Sequence, residues 1–156
     1  MEAGISMMGN LSSMTLKPIG IVRSEIKQPT RQDWWEVFSE VVVNDELMGA
    51  LDGLEEFSHI IVLYWLHRVV SGEGSLKVHP QGRQELPLLG LFATRTPNRP
   101  NPVGVATVRL LQRQGNILRV RGLDAIDGTP VIDIKPCVPG YDSASDARVP
   151  SWMTSH

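Results

Sequence analysis

The sequence has little cysteine and no excess of positive charge. Its 156 residues contain one cysteine, Cys137, which excludes an internal disulfide framework and leads us to expect a reducing, cytoplasmic setting. The formal net charge of −2 excludes a global basic field that holds nucleic acid nonspecifically, so any such contact requires a local patch. No apolar run reaches the roughly 18–20 residues that a membrane-spanning helix needs, so no membrane partner is expected.

Several common functional motifs are also missing. No G-x-G-x-x-G follows a strand-like run and no G-x-x-x-x-G-K-[ST] occurs, so neither a Rossmann site nor a P-loop is indicated. Cys137 has no nucleophile motif around it and is interpreted as a small packed residue. If His59 and His67 share a strand, they lie roughly 26 Å apart, too far to bind one ion. We therefore expect no metal site.

Short β-like runs separated by turn residues occupy most of the chain. The runs cover residues 19–24, 37–44, 59–66, 76–78, 88–94, 103–111, 117–123 and 131–134. Asp45 is predicted to N-cap a short helix that ends near Leu51. Residues 114–116 predict a hairpin turn and residues 127–128 a second turn. The sequence thus predicts an all-β fold, a small closed or nearly closed β-barrel of short strands with one or two short helices.

The chain divides into three predicted segments. Residues 1–15 are expected to form a flexible N-terminal leader, since they lack the basic start and continuous apolar core of a signal peptide. Residues 16–142 form the predicted β-barrel domain. Residues 143–156 contain few apolar side chains and are expected to be a partly ordered C-terminal arm.

The most unusual run is FATRTPNRPNPVG, residues 92–104, which we call the proline loop. Each proline fixes φ at about −65° and removes an N–H group, so the loop has little conformational freedom to lose on binding. Arg95 and Arg99 carry planar donor forks suited to a carboxylate or phosphate, and Asn98 and Asn101 add further polar groups. Two interpretations stay open, a rigid barrel corner with solvated arginines and an anion-binding surface.

Three other segments carry polar or aromatic groups of interest. Trp34 and Trp35 could stack on a base or adenine ring, or could pack against the barrel or a partner chain. Asp124 and Asp133 stand at predicted strand ends, where a carboxylate could contact a cation, accept a proton, or simply cap a strand or form a surface ion pair. The polar residues 30–32 suit either a binding site or a solvated loop.

Long strings of this sequence closely resemble the TsaA-like family, also called YaeB-like or TrmO-like. The matching strings are PIGIVRS, TRQ, LDGLEEFSHIIVLYWLHR, FATRTPNRPNPVGVATVRLL and GLDAIDGTPVIDIKPCVPGYD, which span roughly residues 16–142. The resemblance implies a small β-barrel that binds S-adenosylmethionine without a Rossmann fold, as a homodimer. It also implies methyl transfer to N6 of threonylcarbamoyl-adenosine beside the anticodon of tRNA.

The resemblance also implies which residues contact the cofactor. They are Thr30, Arg31, Gln32, His67, Arg68, Arg95, Val105, Arg121, Gly122, Leu123 and Asp124. S-adenosylmethionine offers a carboxylate to an arginine, an adenine to apolar side chains, and a sulfonium to a carbonyl or an acid such as Asp124. The target nitrogen must lose a proton, and Asp133 is the hypothesis for that base or for an orienting acceptor. Arg99, Asn101 and Lys135 are candidates for holding phosphate or carbonyl groups of the substrate.

Two other functions stay open at this stage. A binding module could keep the S-adenosylmethionine pocket and sense or sequester the ligand without transferring a methyl group. A methyltransferase could instead act on a small molecule or a protein amide. Turnover separates the first alternative from the tRNA methyltransferase. Salt-dependent tRNA binding separates the second.

Overall fold

The computed structural model describes residues 12–30, 32–69 and 74–154, and β-strands dominate this part of the chain. The strands are β1 Gly20–Arg23, β2 Phe38–Val43, β3 His59–Trp65, β4 Lys77–Val78, β5 Leu89–Gly90, β6 Val103–Gln114, β7 Ile117–Arg121 and β8 Pro130–Pro136. Six of them form one closed antiparallel barrel, while β4 and β5 pair in a separate two-stranded sheet. The predicted all-β barrel is confirmed, and its closure removes the exposed edges that so many short strands would otherwise present.

The barrel strands follow the order β1-β2-β7-β6-β3-β8, and β8 returns to β1. β6 and β7 form the predicted hairpin, in which Gln114 pairs with Ile117 across a two-residue turn. The neighbours β3 and β6 are paired along all of β3, from His59 to Trp65. By contrast, β1 and β8 are joined by two residue pairs, Gly20 with Val131 and Ile21 with Pro130. The β1–β8 seam is therefore the shortest pairing in the barrel.

Strict alternation of inward and outward side chains builds the core. In β3, Ile60, Val62 and Tyr64 are buried, whereas the residues between them are only half-buried. The run that looks apolar on both faces in sequence thus has one face in the barrel interior and one facing outward. The same alternation in the other strands contributes Val22, Val41, Val43, Val108, Leu118, Val120 and Val131 to the core.

Two local predictions fail where short helical turns replace the expected structure. Asp45 is not an N-cap, because it is the first residue of the 3-10 helix Asp45–Leu51 and Asn44 holds the cap position without a side-chain bond. The Asp45 carboxylate instead accepts a hydrogen bond from Asn116 Nδ2 at 3.0 Å. The strand predicted over residues 88–94 is too long, since β5 ends at Gly90 and a 3-10 turn, Leu91–Ala93, follows.

The described chain after β8 contains a four-residue α-helix, Pro139–Asp142, and a 3-10 turn, Ser151–Met153. Residues 143–154 are nearly all exposed. Residues 1–11 of the predicted leader and residues 155–156 of the predicted arm lie outside the described residues. Within the described ranges, no helix has the length and apolarity to cross a membrane.

Candidate functional site

Two adjoining concavities lie beside the end of β3 and the segment that follows β7. The inner cavity, about 190 Å³, has a largely apolar lining that includes Leu66, Pro97 and Ile126. The outer cleft, about 530 Å³, is more open and more polar. Trp34 and Asp124 line both concavities, so these two residues mark where the concavities meet.

Most of the cofactor residues expected from the sequence line these two concavities, although they come from distant parts of the chain. Those in the inner cavity are Thr30, His67, Arg68 and Asp124, and those in the outer cleft are Gln32, Arg95, Val105, Gly122 and Asp124. Arg31 lies outside the described residues. Leu123 is fully buried in the barrel core, so its side chain does not face either concavity. Arg121 ends β7 beside Gly122.

The two tryptophans are held by a short capped turn. The Asp33 carboxylate accepts a hydrogen bond from Trp35 N at 3.1 Å and so caps the 3-10 turn Trp34–Glu36. Trp34 is half-buried, whereas Trp35 has 57% of its surface exposed. The Trp35 ring lies against Gly122, where an added Cβ would come within 2.8 Å of the ring. The packing interpretation thus describes one side of Trp35, and its exposed remainder stays accessible to a ligand.

Gly122 shapes the floor of the outer cleft. Its φ of +99° lies in the left-handed region, which side chains other than glycine rarely adopt. The close approach of Trp35 leaves no room for a side chain there. Both constraints require glycine at this position and bring Trp35 onto the backbone between Arg121 and Asp124.

Asp124 is the carboxyl group at the centre of the site, and Tyr64 binds it directly. Tyr64 Oη donates a hydrogen bond to Asp124 Oδ1 and lies 3.4 Å from the Asp124 carbonyl oxygen. Part of Asp124 is exposed, yet burial of its carboxyl raises the pKa above the ordinary aspartate value. The hydrogen bond from Tyr64 and the charge of Arg95 offset part of that rise. Burial first, and the Asp124 bond second, raise the pKa of Tyr64, so the phenol stays a neutral donor.

Tyr64, the hydrogen-bond partner of Asp124, is a residue that the sequence analysis did not single out. In sequence it is one of several apolar residues in the run HIIVLYWL, and its partner Asp124 is sixty positions away. A β-bulge between Leu63 and Tyr64, opposite β8, changes the strand register at this point, a device common beside active sites. The ring also packs so closely on Gly104 that a Cβ there would overlap it. A signal was present, since a phenol on an inward-facing strand position needs a partner.

Arg99 of the proline loop forms its hydrogen bonds within the loop itself. Arg99 Nη1 donates hydrogen bonds to the carbonyl oxygens of Thr94 at 3.0 Å and Thr96 at 3.2 Å. The Arg99 guanidinium also lies 5.9 Å from the centre of the Phe92 ring. Arg95, in contrast, is exposed and lines the outer cleft. The two interpretations of the loop therefore apply to different arginines, with Arg99 bracing the corner and Arg95 facing the site.

The remaining predicted residues lie elsewhere on the barrel. Asp133 lines a separate groove of about 580 Å³ together with Leu47, and its carboxylate pairs with Lys135 Nζ at 2.9 Å. Asp133 and Lys135 are both substantially exposed. Asn101 is exposed in the proline loop. The structure thus does not bring these three residues into the two concavities that most of the expected cofactor residues line.

The turn at residues 127–128 has a structural role. Gly128 has a φ of +84°, and the Asp127 carboxylate accepts a hydrogen bond from Ser24 N at 2.9 Å. Asp127 also pairs with Lys27 at 2.9 Å. The prediction of a turn at residues 127–128 is confirmed. Among the described residues, no group of three or more His, Cys, Asp and Glu side chains is placed to hold a metal ion.

Comparison with known proteins identifies relatives of this chain. A family model described as tRNA-methyltransferase O N-terminal domain matches residues 23–143. A probable S-adenosyl-L-methionine-binding protein of Methanothermobacter thermautotrophicus is 48% identical over 132 residues, which cover 82% of this chain and 93% of the relative. The tRNA (adenine(37)-N6)-methyltransferase of Mus musculus is 41% identical over 100 residues, which cover 64% of this chain and 23% of the mouse protein.

Solved structures agree with the family match. The crystal structure of TrmO from Pseudomonas aeruginosa aligns with a TM-score of 0.70 and 33% identity, covering 87% of this chain and 61% of the solved chain. The chain thus spans less than two thirds of that protein's length. The cofactor in the name of the archaeal relative is the one that the sequence predicts for this chain. The family resemblance read from the sequence is confirmed, and the chain belongs to the family of the tRNA-methyltransferase O N-terminal domain.

Proposed function

We propose that this protein binds S-adenosylmethionine across the inner cavity and the outer cleft. The observation that carries the proposal is the convergence of Thr30, Gln32, His67, Arg95 and Asp124 on two adjoining concavities. The chemistry of these groups fits the cofactor. Arg95 offers a donor fork for the carboxylate, the apolar wall of the inner cavity suits the adenine, and Asp124 is an acid near which a sulfonium is favoured.

The proposed reaction is methyl transfer to a nucleophile held at the outer cleft. When bound, S-adenosylmethionine supplies a methyl group that its sulfonium already activates. The protein therefore has to align the acceptor, exclude water and accept the proton that leaves the acceptor atom. Trp34 and Trp35 offer aromatic faces for a base at the mouth of the site, and Gly122 lets Trp35 approach the backbone there.

The proposed acceptor is N6 of threonylcarbamoyl-adenosine next to the tRNA anticodon. The name of the mouse relative, a tRNA adenine-N6 methyltransferase, supports tRNA and the N6 position. Asp133 is the base hypothesis from the sequence. Asp124 is a second candidate, because it lines the cleft and burial raises the pKa of its carboxyl toward the working range of a general base. In both proposals the carboxylate accepts the proton that leaves the acceptor nitrogen.

The assembly and setting are also proposals. We expect a cytoplasmic homodimer, in line with the single cysteine and with the outward face of β3, where Ile61, Leu63 and Trp65 are only half-buried. Arg99, Asn101 and Lys135 are proposed to contact the substrate from outside the cleft. Arg99 and Lys135 would do so with donors beyond those used for Thr94 and Asp133.

The first experiment is a calorimetric titration of S-adenosylmethionine into the wild type, Arg95→Ala and Arg95→Lys. We expect saturable wild-type binding, a loss of about tenfold or more in the folded Arg95→Ala variant, and partial retention in Arg95→Lys, since a charge without the planar fork remains. Wild-type protein that is folded but binds no cofactor would contradict the cofactor proposal.

A methyl-transfer assay then tests the acceptor. The assay compares tRNA that carries threonylcarbamoyl-adenosine with the same tRNA lacking that group, using wild type, Asp133→Asn and Asp124→Asn. The proposal expects transfer to the first tRNA alone, and the base is the aspartate whose replacement abolishes transfer at cofactor concentrations that saturate each variant. Cofactor binding with no transfer to either tRNA would favour the binding module, which the name of the Methanothermobacter relative also supports.

A further inference from the structure

Three arginines gather on the outward face of β6 and β7. Arg109 on β6 is paired directly with Arg121 on β7, and Arg119 lies two residues before Arg121 on the same face. Their inward neighbours, Val108, Leu118 and Val120, are fully buried, which fixes the outward direction of the arginines. We call Arg109, Arg119 and Arg121 the arginine cluster.

Arg109 and Arg121 lack compensating charge within the described part of the chain, whereas Arg119 lies directly opposite Glu40. Directly opposite residues in antiparallel strands have Cβ atoms about 5 Å apart, so the Arg109–Arg121 pair places two like charges side by side, which is destabilising. None of the three side chains forms an ion pair or hydrogen bond with another described residue, and Arg121 Nε is buried without a partner among them. The carboxylate opposite Arg119, that of Glu40, pairs instead with Arg23 at 3.0 Å.

Another arginine shows what compensation looks like in this barrel. Arg113, also on β6, reaches Asp52 at 3.0 Å and Glu55 at 3.5 Å and donates to the Gly115 carbonyl at 3.0 Å. The described chain thus supplies acidic partners around Arg113 and leaves Arg109 and Arg121 without one. An external anion is the partner that the cluster lacks.

The cluster is continuous with the candidate site. Thr107 and Val105 line the outer cleft and lie two and four residues from Arg109 on the same face of β6, roughly 7 and 13 Å along the strand. On β7, Arg121 directly precedes Gly122 of the cleft floor. Phe38 is paired opposite Arg121 and has 56% of its surface exposed, so an aromatic face lies beside the charges.

We propose that the arginine cluster binds phosphates of RNA and guides the strand into the outer cleft, with Phe38 as a stacking surface for an unpaired base. Cationic side chains that track the backbone, with an aromatic face beside them, form the pattern of single-strand binding surfaces. The inference rests on the proposed function, since it assigns the surface by which the same site would hold its tRNA. The arginine cluster is also the kind of local basic patch that a chain with a net charge of −2 requires for contact with nucleic acid.

The test compares the double variant Arg109→Gln/Arg119→Gln with wild type, binding an unmodified tRNA transcript and a single-stranded RNA oligonucleotide over a series of salt concentrations. Each phosphate neutralised on a single strand contributes roughly 0.7 to the slope of log affinity against log salt. We expect that slope to fall by about 1.4 in the double variant and the affinity near physiological salt to fall by about tenfold. A matched double variant, Arg83→Gln/Arg148→Gln, removes two charges outside the barrel strands and should stay within about twofold of wild type.

The outcomes separate this inference from the proposed function. If the slope of log affinity against log salt is unchanged in the Arg109→Gln/Arg119→Gln variant, the proposed RNA-binding role of the arginine cluster is wrong, even if tRNA is methylated. Wild type that binds neither RNA at low salt also overturns it. A reduced slope and intact binding of S-adenosylmethionine, but no methylated tRNA, supports the cluster and overturns the acceptor proposal.

Discussion

The proline loop and the segment that follows β7 make an instructive pair. The loop, residues 92–104, contains the most conspicuous chemistry in the sequence, but its Arg99 is bound to the loop's own carbonyl oxygens. Residues 122–124 follow a plain strand and contain few unusual residues, but they contribute Gly122 and the Asp124 carboxyl to the candidate site. The contrast teaches that an unusual residue such as Arg99 stabilises the loop in which it stands. The candidate site depends instead on which residues of distant segments the fold brings together.

The largest effect is expected from filling the floor of the cleft. Gly122→Ala places a side chain at a φ of +99° and within 2.8 Å of Trp35. We expect the free energy of unfolding to fall by about 1–3 kcal/mol and affinity for S-adenosylmethionine to fall by about tenfold or more, because Trp35 must move. Chemical denaturation and calorimetry measure the two quantities.

Gly90→Ala is the matched control for that substitution. Gly90 has a φ of −62° and an open space where the Cβ would stand. This variant should change stability by about 0.5 kcal/mol or less and leave cofactor affinity unchanged. Equal effects of the two alanines would remove the special role given to the segment after β7.

A smaller effect, visible as a pH dependence, is expected from the Tyr64–Asp124 pair. Because burial holds the pKa of Asp124 above its ordinary value, its carboxyl is still partly protonated where a free aspartate is ionised. Cofactor affinity should therefore fall by about tenfold as the pH drops from neutral through that raised pKa, since one charge interaction worth about 1.4 kcal/mol is lost. Tyr64→Phe removes a donor that lowers this pKa, so the midpoint should move to higher pH.

Asp124→Asn is the control, because the amide does not titrate and binding should become independent of pH in this range. Stability has the opposite sign. A raised folded-state pKa gives stability that is present below the unfolded pKa and is lost as the pH rises through the folded one, so Asp124→Asn should remove that loss. A wild-type binding curve that is flat across the range would contradict the role of the carboxylate.

The smallest effect on binding is expected from the conspicuous arginine. Arg99→Ala removes two hydrogen bonds to carbonyl oxygens and the contact with Phe92, so the free energy of unfolding should fall by about 1–2 kcal/mol. Affinity for S-adenosylmethionine should stay within about twofold, as measured by calorimetry on the folded variant. A tenfold loss of affinity with unchanged stability would reverse the assignment and place Arg99 with Arg95.

The barrel could be predicted because its signals are local. Alternating residues in β2, the continuous apolar run in β3 and the turn residues of the β6–β7 hairpin indicate these elements without knowledge of any partner strand. The proposed cofactor residues came from the family resemblance rather than from their chemistry. The bond between Tyr64 and Asp124 was not predictable, because its two residues are sixty positions apart and meet only in the folded barrel. The arginine cluster was missed for a related reason. Charges on β6 and β7 can be recognised as neighbours only when the register of the two strands is known.

The short β1–β8 seam closes the barrel next to the inner cavity. Two residue pairs join these strands, and hydrogen bonds from Val22 N to the Thr129 carbonyl at 2.9 Å and from Gly128 N to the Val22 carbonyl at 2.8 Å extend the seam beyond the start of β8. Thr129, which lines the inner cavity, directly precedes Pro130 at the start of β8. A ligand bound in the inner cavity would therefore contact the chain beside the seam, and its binding free energy would stabilise the closed barrel.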